Sequence, residues 1–119
     1  MRDFHELRVW EKAHQSVLAV YRISRGFPQS EIYTLTSQIR RAAISVTSNI
    51  AEGCGRNTKT EFARFLQIAL GSACEVQYQL LLSRDLGYTN GLEFQQLDGE
   101  ISEVKRMLTG LIQKLKDHD

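Results

Sequence analysis

Little in this sequence would break a helix. There is one proline, Pro28, in 119 residues, so a backbone N–H ladder can run almost anywhere else along the chain. No alternation of apolar and polar residues is long enough for a strand. Two cysteines, Cys54 and Cys74, are too few for a disulfide framework, and neither lies in a C-x-x-C spacing; this suits a reducing compartment. No apolar run approaches the roughly 18–20 residues that span a bilayer. The opening MRDFHELRVW carries no apolar signal core. These absences set the expectation of a cytoplasmic protein with no membrane partner. There is also little net charge, +1 in all. It is unevenly placed, however: residues 1–59 hold nine Lys/Arg against five Asp/Glu, and residues 60–119 hold six against nine. Such a split steers an anionic partner or joins the two halves to each other.

What is present is helix punctuation. Asp3 and Glu6 fit a capping box, after which Trp10, Ala13, His14, Val17, Tyr21 and Ser24 share one helical face. Gly26 fits a left-handed C-terminal cap, and FPQS turns the chain. A second helix is expected from about Ser30 to Glu52, with a stripe of Leu35, Ile39, Ala42, Ala43, Val46, Ile50 and Gly53, broken by GCGRN. Thr58 to Glu61 is a further capping box. It opens a third helix that Gly87 stops, and Asn90 to Glu93 opens a fourth. The fourth carries Phe94, Leu97, Ile101, Val104, Leu108, Leu111 and Leu115 at alternating spacings of three and four, a coiled-coil-like seam. Four helices with connectors of about four or five residues predict a single all-α domain over residues 1–119. Its expected architecture is an antiparallel up-down-up-down four-helix bundle.

The third helix has more apolar surface than one stripe needs. Phe62, Phe65, Leu66, Ala69, Ala73, Val76 and Leu80 form the stripe, while Ile68, Tyr78 and Leu82 lie about 120–200° around the helix. Leu70, Cys74 and Leu81 fill one flank, and on the second helix Ile44 and Ala51 sit off the stripe beside Arg40. Contiguous exposed apolar area is normally covered by something. Self-association is therefore expected, with Arg40, Ile44, Ala51, Ile68, Cys74, Glu75, Tyr78 and Leu82 as interface candidates. Glu75 has no other explanation in the sequence. Asn49, at the stripe's edge, reads as a structural amide that bonds a neighbouring helix or caps backbone groups near Gly53.

Catalytic signatures are lacking. Glu11-x-x-His14 has the spacing of a di-iron ligand pair, but such sites need two of these motifs and two more glutamates. No nucleotide-binding loop, zinc spacing or nucleophile elbow is present. The expectation is no enzyme, metal or cofactor, with His14 packed and with His5 and His118 near the ends without partners. Cys54, between two glycines, has two readings, an exposed thiol near Arg56 and, favoured over it, chance placement. The remaining signal is basic. Arg41, Arg56, Lys59, Arg64, Arg8 and Lys12 are candidate phosphate contacts for RNA or DNA, weak and independent of sequence. No RNP motif or helix-turn-helix supports base reading. Arg40 and Arg41 point in different directions from the second helix, so a clamp built from both within one chain is not expected.

FHELRVWEKA, QIRRAAISVTSNIAEG and EFARFLQIALGSACE resemble, in order and spacing, the signatures of the four-helix-bundle proteins encoded by intervening sequences in bacterial 23S rRNA genes. The resemblance spans about Phe4 to Tyr88, and the last helix matches in pattern only. It implies a homopentameric ring and kinship with the accessory protein of diversity-generating retroelements, a basic barrel that binds reverse transcriptase and nucleic acid. The function so implied is a non-enzymatic oligomeric adaptor for nucleic acid or a nucleic-acid enzyme. The alternative is a protein-only scaffold.

Overall fold

The computed structural model describes residues 2–117, so His118 lies outside the described residues. Four α-helices make up the bundle: α1 (Arg8–Ser24), α2 (Leu35–Cys54), α3 (Lys59–Asp85) and α4 (Gly91–Asp117). Short 3-10 turns at Phe4–Glu6 and Gln29–Glu31 precede α1 and α2. There is no strand among the described residues. The molecule measures 46 × 24 × 20 Å, as expected when the longest helices have 27 residues at about 1.5 Å rise each.

The start signals of α3 and α4 work as their residue types dictate. Thr58 Oγ1 accepts the Glu61 N–H at 3.1 Å. Asn90 Oδ1 accepts from Glu93 N–H at 2.8 Å, and Glu93 Oε1 accepts the Asn90 N–H in return. Gly87, at φ 82°, is the one described residue in the left-handed region, and it ends α3. Gly26 is not such a cap. The chain leaves α1 through Arg25 in right-handed geometry, and Gly26 N–H bonds Ile23 O.

Three further expectations shift. Asp3 caps only a 3-10 turn, accepting from His5 N–H, and α1 begins at Arg8. α2 begins at Leu35 rather than about Ser30, because Glu31 supplies its capping acceptor from outside: the carboxylate takes the Leu35 N–H and the Thr34 hydroxyl. The buried line of α1 is Val9, Ala13, Ser16, Val20 and Ser24. Trp10, His14, Val17 and Tyr21 are only half-buried, on its flank. The face that α1 turns inward carries only small side chains, and the aromatic rings stack along its edge, with Trp10 flat on His14 at 5.1 Å and edge-on to Phe4 at 4.8 Å.

The predicted stripes of α2 and α3 are buried throughout. On α4 the seam holds from Leu97 to Leu108 and then passes to Ile112 and Leu115, leaving Phe94 and Leu111 half-buried. A straight helix drifts about 20° per heptad from a 3.5-residue repeat, and by the third heptad the next residue faces inward. The bundle centre leaves a cavity of only about 20 Å³, lined by Ala13, Val20, Val46, Ala73, Val76 and Val104 among others. An apolar void of that size stays dry and holds no ligand.

α2 and α3 approach closely at Gly53. A Cβ there would stand 3.0 Å from both Phe62 Cδ1 and Phe65 Cβ. The second of these cannot move without moving α3. Gly53→Ala gains up to about 1 kcal/mol of helix propensity, but overpacking of this kind costs more. The expected net loss is about 1–2 kcal/mol, read as a lower urea midpoint.

A second tie joins the α1–α2 and α3–α4 connectors. Tyr88 donates to Glu31 Oε2 at 2.9 Å, and the Phe27 and Tyr88 rings meet at 5.7 Å. Bonds from Thr34, Tyr88 and the Leu35 N–H hold the Glu31 carboxyl below its ordinary 4.5. The same bond raises Tyr88 above 10. With Glu31 depressed in the folded state, its contribution is complete above 4.5 and is lost as pH falls through the lower folded value. Glu31→Gln should flatten the acid limb of a melting-temperature profile below pH 4.5 and leave the shape of the neutral region unchanged.

Candidate interaction surfaces

Interhelical polar contacts fix how the helices sit and leave their outer faces defined. Between α2 and α3, Ser45 Oγ meets Ser72 Oγ at 2.8 Å. Asn49 Nδ2 donates back along its own helix to Ser45 O at 2.8 Å and Ser45 Oγ at 3.0 Å, so it is a structural amide bonded within α2 and not to a neighbouring helix. Between α3 and α4, Gln77 donates to Asp98 Oδ1 at 3.1 Å and Ser102 Oγ at 2.8 Å, and accepts from Lys105 Nζ at 2.8 Å. Only Gln79 Oε1 is buried without a partner among the described residues.

Most of the basic candidates are engaged within the chain. Arg56 pairs with Glu52 at 2.9 Å and Arg64 with Glu61 at 3.1 Å. Their guanidinium groups also lie 4.6 Å from the centroid of the same Phe65 ring, which they shield from water. Lys12 pairs with Glu103 across α1 and α4 at 2.8 Å. All of these ions are more than 40% exposed, so each pair adds little stability, yet each lowers the charge offered to a polyanion. Arg8 and Lys59 open α1 and α3 at the surface. Arg41 is exposed on α2.

The interface candidates divide. Arg40 serves its own chain: Nε donates to Ser24 Oγ at 2.8 Å, and its guanidinium lies 4.6 Å over Tyr21. Ile44, Ile68 and Tyr78 are exposed at 42%, 41% and 60%. Ala51 is half-buried, Cys74 is exposed, and exposed Glu75 accepts from Gln79 Nε2 at 3.4 Å. Leu82 is not a wet residue: it is half-buried against the core. Ile68, Glu75 and Leu82 recur every seven residues along one line of α3, with Cys74 and Tyr78 on the outward side.

Several features were not anticipated. Leu18 is 40% exposed, off the α1 stripe, and its roughly 140° offset from Ala13 by helical period could have shown it. Ile32, Tyr33, Leu86 and Leu92, in or next to the connectors, are also exposed. Helical periodicity says nothing about residues in turns. Arg40 and Arg41, expected to diverge, line one open groove of about 440 Å³ with Tyr21, Ile32, Thr36 and Ser37; their long side chains span the angle between their Cα atoms. His5 has partners after all, with Nδ1 bonded to Asp3 Oδ1 at 2.7 Å and its ring on Phe4. No group of three or more potential metal ligands occurs among the described residues. No helix of the described residues is long and apolar enough to cross a membrane.

A four-helix bundle with an R-R-A-A helix at its centre and shallow outer grooves defines a class of small helical proteins, and comparison with known proteins places it further. Residues 5–110 match the family described as 23S rRNA-intervening sequence protein, and the chain belongs to that family. Among solved structures it is similar to a protein of unknown function from the S23 ribosomal protein family of Bacteroides thetaiotaomicron. The TM-score is 0.81 at 22% identity, over 87% of this chain and 97% of that one. At that identity the likeness establishes the fold. No curated protein matches the chain.

The two thiols differ in access. Cys54 is buried in the last turn of α2, not exposed as its glycine neighbours suggested, and burial raises its thiol above the ordinary 9.0. Titration of the native protein with a disulfide reagent should label Cys74 quickly and Cys54 only after unfolding. Mass spectrometry of the labelled peptides checks the assignment.

Proposed function

We propose that this protein is a non-enzymatic, self-associating adaptor whose copies close head to tail around a ring. Five copies is the number the family resemblance implies. The observation that carries the reading is the presence of exposed apolar residues on two unlike faces of one bundle. Leu18 and Ile44 lie on the outer α1–α2 side, and Ile68 and Tyr78 lie on α3. Two different sticky faces suit a heterologous contact, in which one face of each copy meets the other face of the next. We infer an antiparallel up-down order for the helices. It is supported by contacts between Arg2 and Cys54 at one end of the α1–α2 pair and between Ser24 and Arg40 at the other. This order brings Leu18 and Ile44 to the same level of the bundle.

A protein-binding role is favoured over a nucleic-acid one. Arg56, Arg64 and Lys12 are already matched by Glu52, Glu61 and Glu103. A weak, salt-sensitive RNA or DNA contact would rest on Arg8 and Arg41, and an electrophoretic titration at low salt reads it directly. Sedimentation of the wild-type protein at micromolar concentration should give a discrete species several times the 13.6 kDa chain. The double variant Ile68→Glu/Tyr78→Glu should sediment as a single chain with an unchanged helical circular-dichroism spectrum. A compact wild-type monomer would remove the proposal.

A further inference from the structure

The groove at the amino end of α2 carries donors that helix packing and self-association leave partly unused. It is open, about 440 Å³ in volume, and within the range of small-ligand sites. Its lining is Tyr21, Ile32, Thr36, Ser37, Arg40 and Arg41, with Ile44 at the far edge. No acidic residue lines it. The nearest carboxylate in sequence, Glu31, is tied to Thr34, to the Leu35 N–H and to Tyr88.

Four kinds of donor converge there. Arg40 is locked in place, since Nε is bonded to Ser24 and the guanidinium plane rests on Tyr21, and its terminal N–H groups have no partner among the described residues. Arg41 is exposed, with no ion pair among the described residues. Thr36 is only 6% exposed and its hydroxyl makes no hydrogen bond among the described residues, although it lines the groove. The hydroxyl oxygen is not sealed from solvent, so it is free to donate into the groove. The backbone N–H groups of Thr36 and Ser37 belong to the first turn of a 20-residue helix, where donors lack intrahelical acceptors and the helix dipole favours negative charge.

We propose that this groove binds the phosphate group of a phosphate ester. Charge and donor count select an oxyanion: guanidinium groups pair with phosphate through several charge-assisted bonds at once, and nothing in the lining would hold a cation. The apolar walls select an ester over the free ion. Ile32 offers an apolar edge, and the face of Arg40 turned away from Tyr21 is a flat cationic surface on which a planar substituent such as a nucleobase can stack. The groove is built by one copy of the chain, so the proposal does not depend on the ring.

The test is a ¹H–¹⁵N NMR titration of the intact protein with inorganic phosphate and, separately, adenosine 5′-monophosphate, at constant ionic strength set with chloride. Saturable shifts confined to the Thr36 and Ser37 amides and the Arg40 Nε–H group are expected. Adenosine monophosphate should bind about tenfold more tightly than phosphate. Thr36→Val and Arg41→Gln, both with unchanged thermal melts, should each weaken binding by about tenfold, the scale of losing one hydrogen bond to a charged group. Equal affinity for the two probes would overturn the ester assignment and leave a site for the free anion. Shifts that stay linear with concentration, or that spread over Arg8, Lys12 and Lys59, or variants that bind like the wild type, would overturn the site itself.

Discussion

α2 and α3 meet so closely at Gly53 that even a Cβ there would crowd Phe62 and Phe65 at 3.0 Å, and much else follows from that approach. Phe62 and Phe65 can seat directly on α2 because nothing projects from it at that level. Once seated, Phe65 has an outer face that the core cannot cover, and Arg56 and Arg64 cover it with their guanidinium planes. Arg2 does the same for Phe62, at 4.9 Å. The basic residues around the α2–α3 connector thus have a structural use that precedes any ligand. Further along the same seam, Ala42, Ala43, Ala69 and Ala73 are buried, and Ser45 and Ser72 come within hydrogen-bonding distance. The run of small residues in QIRRAAISVTSNIAEG is a close-packing surface first.

The two arginines of that run illustrate how one helix serves opposite purposes. Arg40 is spent on its own fold, fastened to Ser24 and laid over Tyr21. Arg41, one residue on, is exposed and has no ion pair among the described residues. The pair still opens into one groove because side chains of that length reach across an angle that helical geometry alone would place out of range. The α1–α2 side therefore combines an apolar strip near Leu18 and Ile44 with a polar, cationic end near Thr36. The outer face of α3 is chemically different, with Ile68, Cys74 and Tyr78 beside a lone Glu75.

Much of this was readable in the residues. The caps at Thr58 and Asn90, the stop at Gly87 and the stripes of α2 and α3 follow from local chemistry and a 3.6-residue period, which act without reference to distant parts of the chain. The α1 stripe and the start of α2 were not readable, for different reasons. Trp10 and Tyr21 look like core residues by hydrophobicity, but the face that α1 turns inward carries only Val, Ala and Ser, and no single helix reveals the width of the space it faces. α2 starts late because Glu31 reaches forward to cap it while also bonding Tyr88, 57 residues away. At the candidate sites the exposure of Ile44, Ile68 and Tyr78 followed from periodicity. The pairing of Arg56, Arg64 and Lys12, the burial of Cys54 and the unpartnered Thr36 hydroxyl depend on which helix lies opposite, and a one-dimensional pattern does not carry that information.

The stack at the start of α1 has an optical consequence. Trp10 is the only indole in the chain, and it lies parallel to His14 and against the edges of Phe4 and His5. Phe4 and His5 belong to the 3-10 turn, and His14 lies one helical turn beyond Trp10 on α1. Tryptophan emission is therefore an intrinsic, label-free gauge of whether the amino-terminal turn is seated on α1, separable from the melting of the other three helices.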